Sequence, residues 1–333
     1  MVAEQFILLR LTSMRRLDLD LFDFDYDLTW MAFFLSAEEK VYGRYGGRDA
    51  ASPDSRVSLV GLRRALEGAL AAHRRDGPGK PRPREREPKT VDLLAAAKRL
   101  SDKACVHCHQ VYDFRREEMQ RAGKWRQEEL WVYPEPENVG LTLDVDRGNL
   151  VAKVADGSAA ARLGLRTGDR ILRVGEVPTV SFADIQYGLH RAPAAGEIAI
   201  VWQRDGREQR GPLALPSGWR RTDISWRWSL RGLDPHPLVH GGDLTTAEKQ
   251  SLGLSAKGLA LRQGPFVNET ASQAGMRQND VIVGVDGKAL EMTGRQLGMY
   301  VRLNYKVGDT ITYNLLRDGK RFDATLKLMG RER

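Results

Sequence analysis

ARLGLRTGDRILRVGEVP (161–178) and ASQAGMRQNDVIVGVDGKAL (271–290) are two copies of one pattern, and they decide the architecture of this 333-residue chain. Gly164 aligns with Gly275 and Asp169 with Asp280, each pair 111 residues apart. The match resumes downstream, in QRDGR (203–207) and LRDGK (316–320). In each copy a Gly-Asp or Asn-Asp turn leads into an apolar strand. A helix is expected next, FADIQYGLHR (182–191) or GRQLGMYVRLN (294–304). Asp205-Gly206 and Asp318-Gly319 then mark two-residue hairpin turns. Glycine-containing strands, NVGLTLD (138–144) and AKGLALRQG (256–264), are expected to open the copies. The period is too long for a solenoid and indicates two domains of about 80–90 residues each.

The paired pattern resembles the PDZ family in its bacterial form. The first copy carries the motif nearly intact at 159–177, and the second departs at Asn279, where the family has Gly. Asn tolerates positive φ, so the turn is expected to survive. The resemblance covers 138–215 and 252–329, and it sets domains at 138–216 and 252–330. It implies small, partly open β-barrels with helices that bind peptide segments or protein C-termini. Such domains add an extended chain to a sheet edge and hold a terminal carboxylate with backbone N–H groups. By position, Val139, Gly140, Leu141 and Thr142 would form the first carboxylate loop, with Ile185 and Leu189 on the helical wall. Gly258, Leu259, Ala260 and Leu261, with Leu297 and Val301, are the counterparts in the second copy. A closed groove in a purely scaffolding domain is the alternative.

Upstream, residues 1–73 read as one module. QFILLRLTSM (5–14) suggests a buried strand. LDLDLFDFDYDL (17–28) alternates, with a phase slip at Phe22. That suggests two short extended pieces whose Asp side chains line a solvated face, without converging on a metal. LTWMAFFLS (28–36) and VYGRYGGRD (41–49) form a strand pair, and LVGLRRALEGALAAH (59–73) a helix. Strand, strand pair and helix make the second half of a thioredoxin-like fold. With CVHCH and two PDZ copies behind it, the block resembles a bacterial thioredoxin-like/PDZ family that includes selenoproteins. In that family the redox residue lies upstream of the strand at 5–14, so either the module has lost its chemistry or it is truncated at its N-terminus, and truncation is the preferred expectation. The fold class is therefore α+β and multidomain: a truncated thioredoxin-like α/β module, a short helical CxxCH segment (91–137) and two PDZ domains.

ACVHCHQV (104–111) holds both cysteines. Cys105, Cys108 and His109 have the spacing of a c-type haem attachment, of a redox dithiol, or of half a metal site. Two unreactive thiols are the fourth reading. Helices are expected at 91–109 and 116–131. Haem is the one cofactor the sequence offers, but Met119, the only Met between the motif and the first repeat, lies on a charged helix. The enzymatic alternative is a thiol-disulfide oxidoreductase using Cys105 and Cys108, with the PDZ domains recruiting substrate. Non-enzymatic peptide binding is preferred, and no complete metal set is visible.

The net charge is +8. RRDGPGKPRPREREPK (74–89) contributes seven Lys/Arg against three acidic residues. It reads as a solvated Pro-rich linker (74–90), because basic and aromatic residues are not interleaved as in a specific nucleic-acid reader. No stretch approaches the ~20 apolar residues of a membrane span. The opening MVAEQFILLRL is too short an apolar run for a secretory signal, yet the family resemblance implies the periplasm or cell envelope. Trp219, Trp226 and Trp228 stand in an Arg-rich inter-domain segment (217–251) that is expected to pack as a linker. An HtrA-like protease is not expected: about 137 residues precede the first repeat, and no glycine-flanked serine suggests a nucleophile. Oligomeric state is not specified.

Overall fold

The apolar run at 28–36 pairs with the glycine-punctuated run after it, as the antiparallel hairpin of β1 (Ala32–Leu35) and β2 (Val41–Tyr45). The computed structural model describes residues 2–80 and 87–330. They divide into one unit running to Thr222 and another from Asp223 onward. Ser58 caps helix α1 (Leu59–Asp76) by accepting from the Gly61 N–H at 2.9 Å. Ala65 and Ala69 of α1 pack on Phe34, Tyr42 and Tyr45 of the hairpin. Residues 74–76, expected in the linker, complete α1, and 81–86 of that linker lie outside the described residues.

Several upstream expectations are corrected. Residues 5–14 form no strand, and Ile7, Leu8 and Leu9 are exposed. The hairpin stays two-stranded, so no thioredoxin-like sheet is built. Residues 17–28 fold as turns, not extended pieces. Asp18 and Asp25 accept from the N–H two residues on, at 3.1 and 3.2 Å, as Asx turns do. Asp25 and Asp27 are buried, and no solvated acidic face forms. The helix expected at 91–109 is replaced by 3-10 turns at Val91–Leu93 and Ala97–Arg99. Arg15 takes two carbonyls of the following stretch, donating to Ala104 and Ser101 at 2.8 Å, while Asp92 binds its guanidinium at 2.6 Å. Helix α2 (Cys108–Arg121) therefore starts inside the cysteine motif. It stops before Gly123 (φ 63), so the helix expected at 116–131 is displaced toward the N-terminus.

The first repeat follows the expected order. It comprises β3 (Leu141–Leu143), β4 (Val151–Val154), α3 (Ala159–Leu163), β5 (Arg170–Val174) and β6 (Val177–Pro178), then α4 (Phe182–Arg191), β7 (Gly196–Arg204) and β8 (Arg207–Leu215). β3 pairs with β4, and the other strands form a sheet in the order β6-β5-β7-β8. Ile171, Ile185, Leu189, Ile200 and Leu213 fill the space between strands and helix. This repeat and the upstream block form a single unit, not separate modules.

The second repeat comprises β9 (Gly241–Asp243), α5 (Thr246–Ser251), β10 (Leu261–Gln263), α6 (Glu269–Gln273), β11 (Val281–Val285), α7 (Gly294–Asn304), β12 (Thr310–Arg317) and β13 (Lys320–Lys327). Its sheet runs β13-β12-β11-β10-β9. β9 and α5 lie within the stretch read as an inter-domain segment, so this domain begins earlier than 252. Asn279 takes φ 70 where Gly168 takes 92, as its side chain permits. Both long hairpins turn through Asp-Gly with positive φ at each residue, the geometry that matches strand twist.

Candidate functional site

A peptide groove of the kind expected needs a strand with an unpaired edge beside a helix. In the first repeat β3 is such an outer strand, with Val139 and Gly140 ahead of it and Leu141 and Thr142 on it. Gly140 sits at φ 89, and a Cβ there would overlap Ser158. Ile185 and Leu189 belong to α4, but they are core residues, 1% exposed each.

α4 is buried around most of its circumference, including Asp184 and Gln186. On one side β2 docks: Asp184 accepts from the backbone N–H of Arg44 at 2.9 Å, and Ser181 donates to the Arg44 carbonyl. A Cβ on Gly43 would overlap Val180, so only glycine permits this approach. Toward the other end Tyr133 stacks on His190 at 4.0 Å, and Gln186 donates to the Tyr133 carbonyl at 3.0 Å. Arg220 caps the helix end by donating to the carbonyls of His190 and Ala192. Arg56 links the start of α4 to the turn ahead of β3. Its guanidinium lies 5.0 Å over Phe182 and pairs with Glu137 at 2.9 Å and Glu135 at 3.5 Å. The chain's own upstream block thus packs on the α4 wall of the first groove.

Asp184 makes this docking pH-dependent. Burial pushes its carboxyl up to about 7, against the attraction of Arg44 and the N–H bonds it accepts. A raised carboxyl binds its proton more tightly when folded. Its stabilising contribution is therefore full below the unfolded value near 4 and is lost as pH rises through about 7. Urea unfolding of the unit ending at Thr222 should weaken over that interval, and Asp184→Asn should flatten the slope. An unchanged slope in the variant would refute the assignment.

In the second repeat the edge is not where the sequence put it. β10 is bonded to β9 on one side and β11 on the other, so its backbone has no free edge. Leu259, Ala260 and Leu261 are buried, as are Leu297 and Val301. The outer strand is β9, whose Gly241, Gly242 and Asp243 are all exposed. Leu244 N–H donates to Ala260 and Gly264 N–H to His240, at 2.9 and 2.8 Å, which extends the β9–β10 register at both ends. Asp243 accepts from the N–H of Gly294 at 2.6 Å and so ties the strand to the first turn of α7. At the opposite end Phe266, four-fifths exposed, lies over His240 at 6.5 Å. The signal was in the repeat. An offset of 111 carries β4 onto β10, so AKGLALRQG is the counterpart of β4, and β9 lies beyond an inserted helix.

The cysteine motif is a different setting. Cys105 is exposed, and Cys108 is half-buried as the first residue of α2. Between them Val106 is fully buried, its N–H donating to Ser13 and its carbonyl accepting from Met14. His109 lies parallel to His107 at 6.1 Å and 4.0 Å from the Asp113 carboxylate. The Asp113 carboxylate is the kind of partner that orients a ligating imidazole, and Val106 and Val111 are buried apolar residues beside the motif. Burial raises the Cys108 thiol, opposite to what an attacking thiolate needs. Among the described residues no group of three or more His, Cys, Asp or Glu is arranged to hold a metal.

PDZ-domain profiles match residues 150–204 and 252–328, so the chain carries two PDZ domains. Both matched segments begin after the outer strand of their domain, β3 or β9. The periplasmic serine endoprotease DegP of Escherichia coli (strain K12) is 24% identical over 188 residues, 53% of this chain and 36% of DegP. The periplasmic pH-dependent serine endoprotease DegQ of the same strain is 27% identical over 146 residues, 44% of this chain and 30% of DegQ. The chain spans about a third of the length of these curated relatives. A solved HtrA-type protease AlgW with decapeptide is 19% identical, covers 52% of this chain and 53% of its own, and superposes with a TM-score of 0.27.

Proposed function

We propose that the chain is a peptide-binding protein of the cell envelope whose working groove lies between β9 and α7 of the second PDZ domain. One observation carries this: β9 presents an unpaired, exposed backbone edge among the described residues, whereas the helical wall of the first groove is covered by the upstream block. An extended peptide laid on β9 would satisfy that edge with main-chain hydrogen bonds, and the helix side would select its side chains. The names of the periplasmic relatives support the envelope location. No helix among the described residues is long and apolar enough to cross a membrane.

The test is a fluorescence-polarisation screen of the full chain against a C-terminal peptide library, free acids beside amides. One saturable site per chain, weakened by amidation, is expected. Saturation at two sites would mean that the first groove is open. Failure of every peptide to saturate would end the peptide-binding reading.

A further inference from the structure

The first unit contains a cleft of about 620 Å³ that belongs to neither peptide groove. One wall is the exposed face of α1, which presents Arg63, Arg64 and Glu67. The other is the loop joining β3 to β4 and the start of β5, which present Arg147 and Arg170. Two glycines set α1 close to this wall: a Cβ on Gly61 would lie 2.6 Å from the Val145 carbonyl oxygen, and one on Gly68 3.2 Å from Val180. The floor is settled, because Asn149 already donates to the carbonyls of Ile171 and Thr179, each at 3.1 Å.

The charges are not settled in the same way. Arg63 pairs with Glu67 at 2.9 Å and Arg147 with Asp144 at 3.1 Å. Arg64 and Arg170 come from opposite walls and have no ion-pair partner among the described residues. Like charges gathered in the lining of one concave site favour a bound anion. Guanidinium groups offer planar, paired donors that suit phosphate oxygens. The cleft is also of the size that small ligands occupy, and larger than a single phosphate needs.

We propose that this cleft binds a compact polyphosphate or phosphate ester, held between Arg64 and Arg170 and flanked by Arg63 and Arg147. The source of the phosphates, free or esterified, is left to the probe. Isothermal titration of the full chain with inorganic tripolyphosphate at low ionic strength should give one saturable site. Affinity should fall with added salt. The double variant Arg64→Ala/Arg170→Ala should bind about tenfold or more weakly, since charged hydrogen bonds are lost. Both side chains are exposed, so the fold should hold, which circular dichroism checks. Arg207→Ala/Arg321→Ala removes the same charge elsewhere and should leave binding unchanged. ATP binding at the same stoichiometry, with the same loss in the cleft variant, would identify an ester-tolerant site. Three results would overturn the proposal: no saturation, an equal loss in both double variants, or hexaglutamate binding as tightly as tripolyphosphate.

Discussion

Asp280→Asn should destabilise the second PDZ domain by about 3 kcal/mol, enough to lower its thermal midpoint by about 12–24 °C. Asp280 is 1% exposed, and its two oxygens receive Nε and a terminal nitrogen of Arg317 at 2.6 and 2.7 Å. The same carboxylate accepts the Arg277 N–H at 2.7 Å, and Arg317 also donates to the Gly275 carbonyl at 2.8 Å. One ion pair thus ties the end of α6 to the β12–β13 hairpin. Asparagine keeps the shape but removes the charge and turns an NH₂ donor toward a guanidinium that can only donate. Removing one partner of a buried pair costs about 3–5 kcal/mol. The Arg317 side chain is about a quarter exposed, which places the loss at the lower end. Urea denaturation measures it, and a change below about 0.5 kcal/mol would show that the pair is idle. The first domain repeats the device with Asp169 and Arg204, at 2.7 and 2.6 Å, and with the Gly164 carbonyl.

That repeated pair explains why the second half of the molecule was legible. Asp169 and Asp280 are the residues on which the two copies align, and the structure gives them one role. The Asp-Gly turns and the two groove helices also follow from local chemistry, and α4 and α7 have the bounds the sequence suggested. Sequence reading failed where partners lie far apart. The contact of Arg44 with Asp184 spans 140 residues, and no local pattern announces that it covers a groove wall. Arg15 displaces a helix almost 90 residues downstream by taking its carbonyls. The run ILLRL has strand composition but pairs with no strand among the described residues, and its Ile7, Leu8, Leu9 and Leu11 stay exposed. Around the cysteines the spacing alone does not choose among haem, dithiol and metal, because that choice rests on neighbours distant in sequence, such as Ser13 and Met14 beside Val106. In the second groove the failure was one of register. Helix α5, inserted between the outer strand and its partner, moved the edge outside the apparent repeat.

That register gives the groove its sharpest test, in two adjacent glycines. Gly241→Ala should weaken the best library peptide about 30-fold, and Gly242→Ala should not. A Cβ on Gly241 would overlap the carbonyl oxygen of Arg262, whereas one on Gly242 meets nothing within 4 Å. Arg262 is backbone in the partner strand, so it cannot swing aside as a side chain could. Alanine at 241 must push β9 off β10. A peptide could then add to the edge only after the strand had been restored. Restoring it means re-imposing that overlap, which outweighs the roughly two backbone hydrogen bonds of about 1 kcal/mol each given up when the strand leaves; a net cost of about 2 kcal/mol, at 1.4 kcal/mol per factor of ten, gives the 30-fold loss. The domain's own stability should fall by only about the 2 kcal/mol of the lost pairing, because the core residues of β10 and α7 are untouched. Fluorescence polarisation beside urea denaturation separates the two effects. Equal affinities for the two variants would place the peptide elsewhere than on β9. A Gly241→Ala chain that binds normally while its domain loses stability would make β9 a structural strand and not a docking edge.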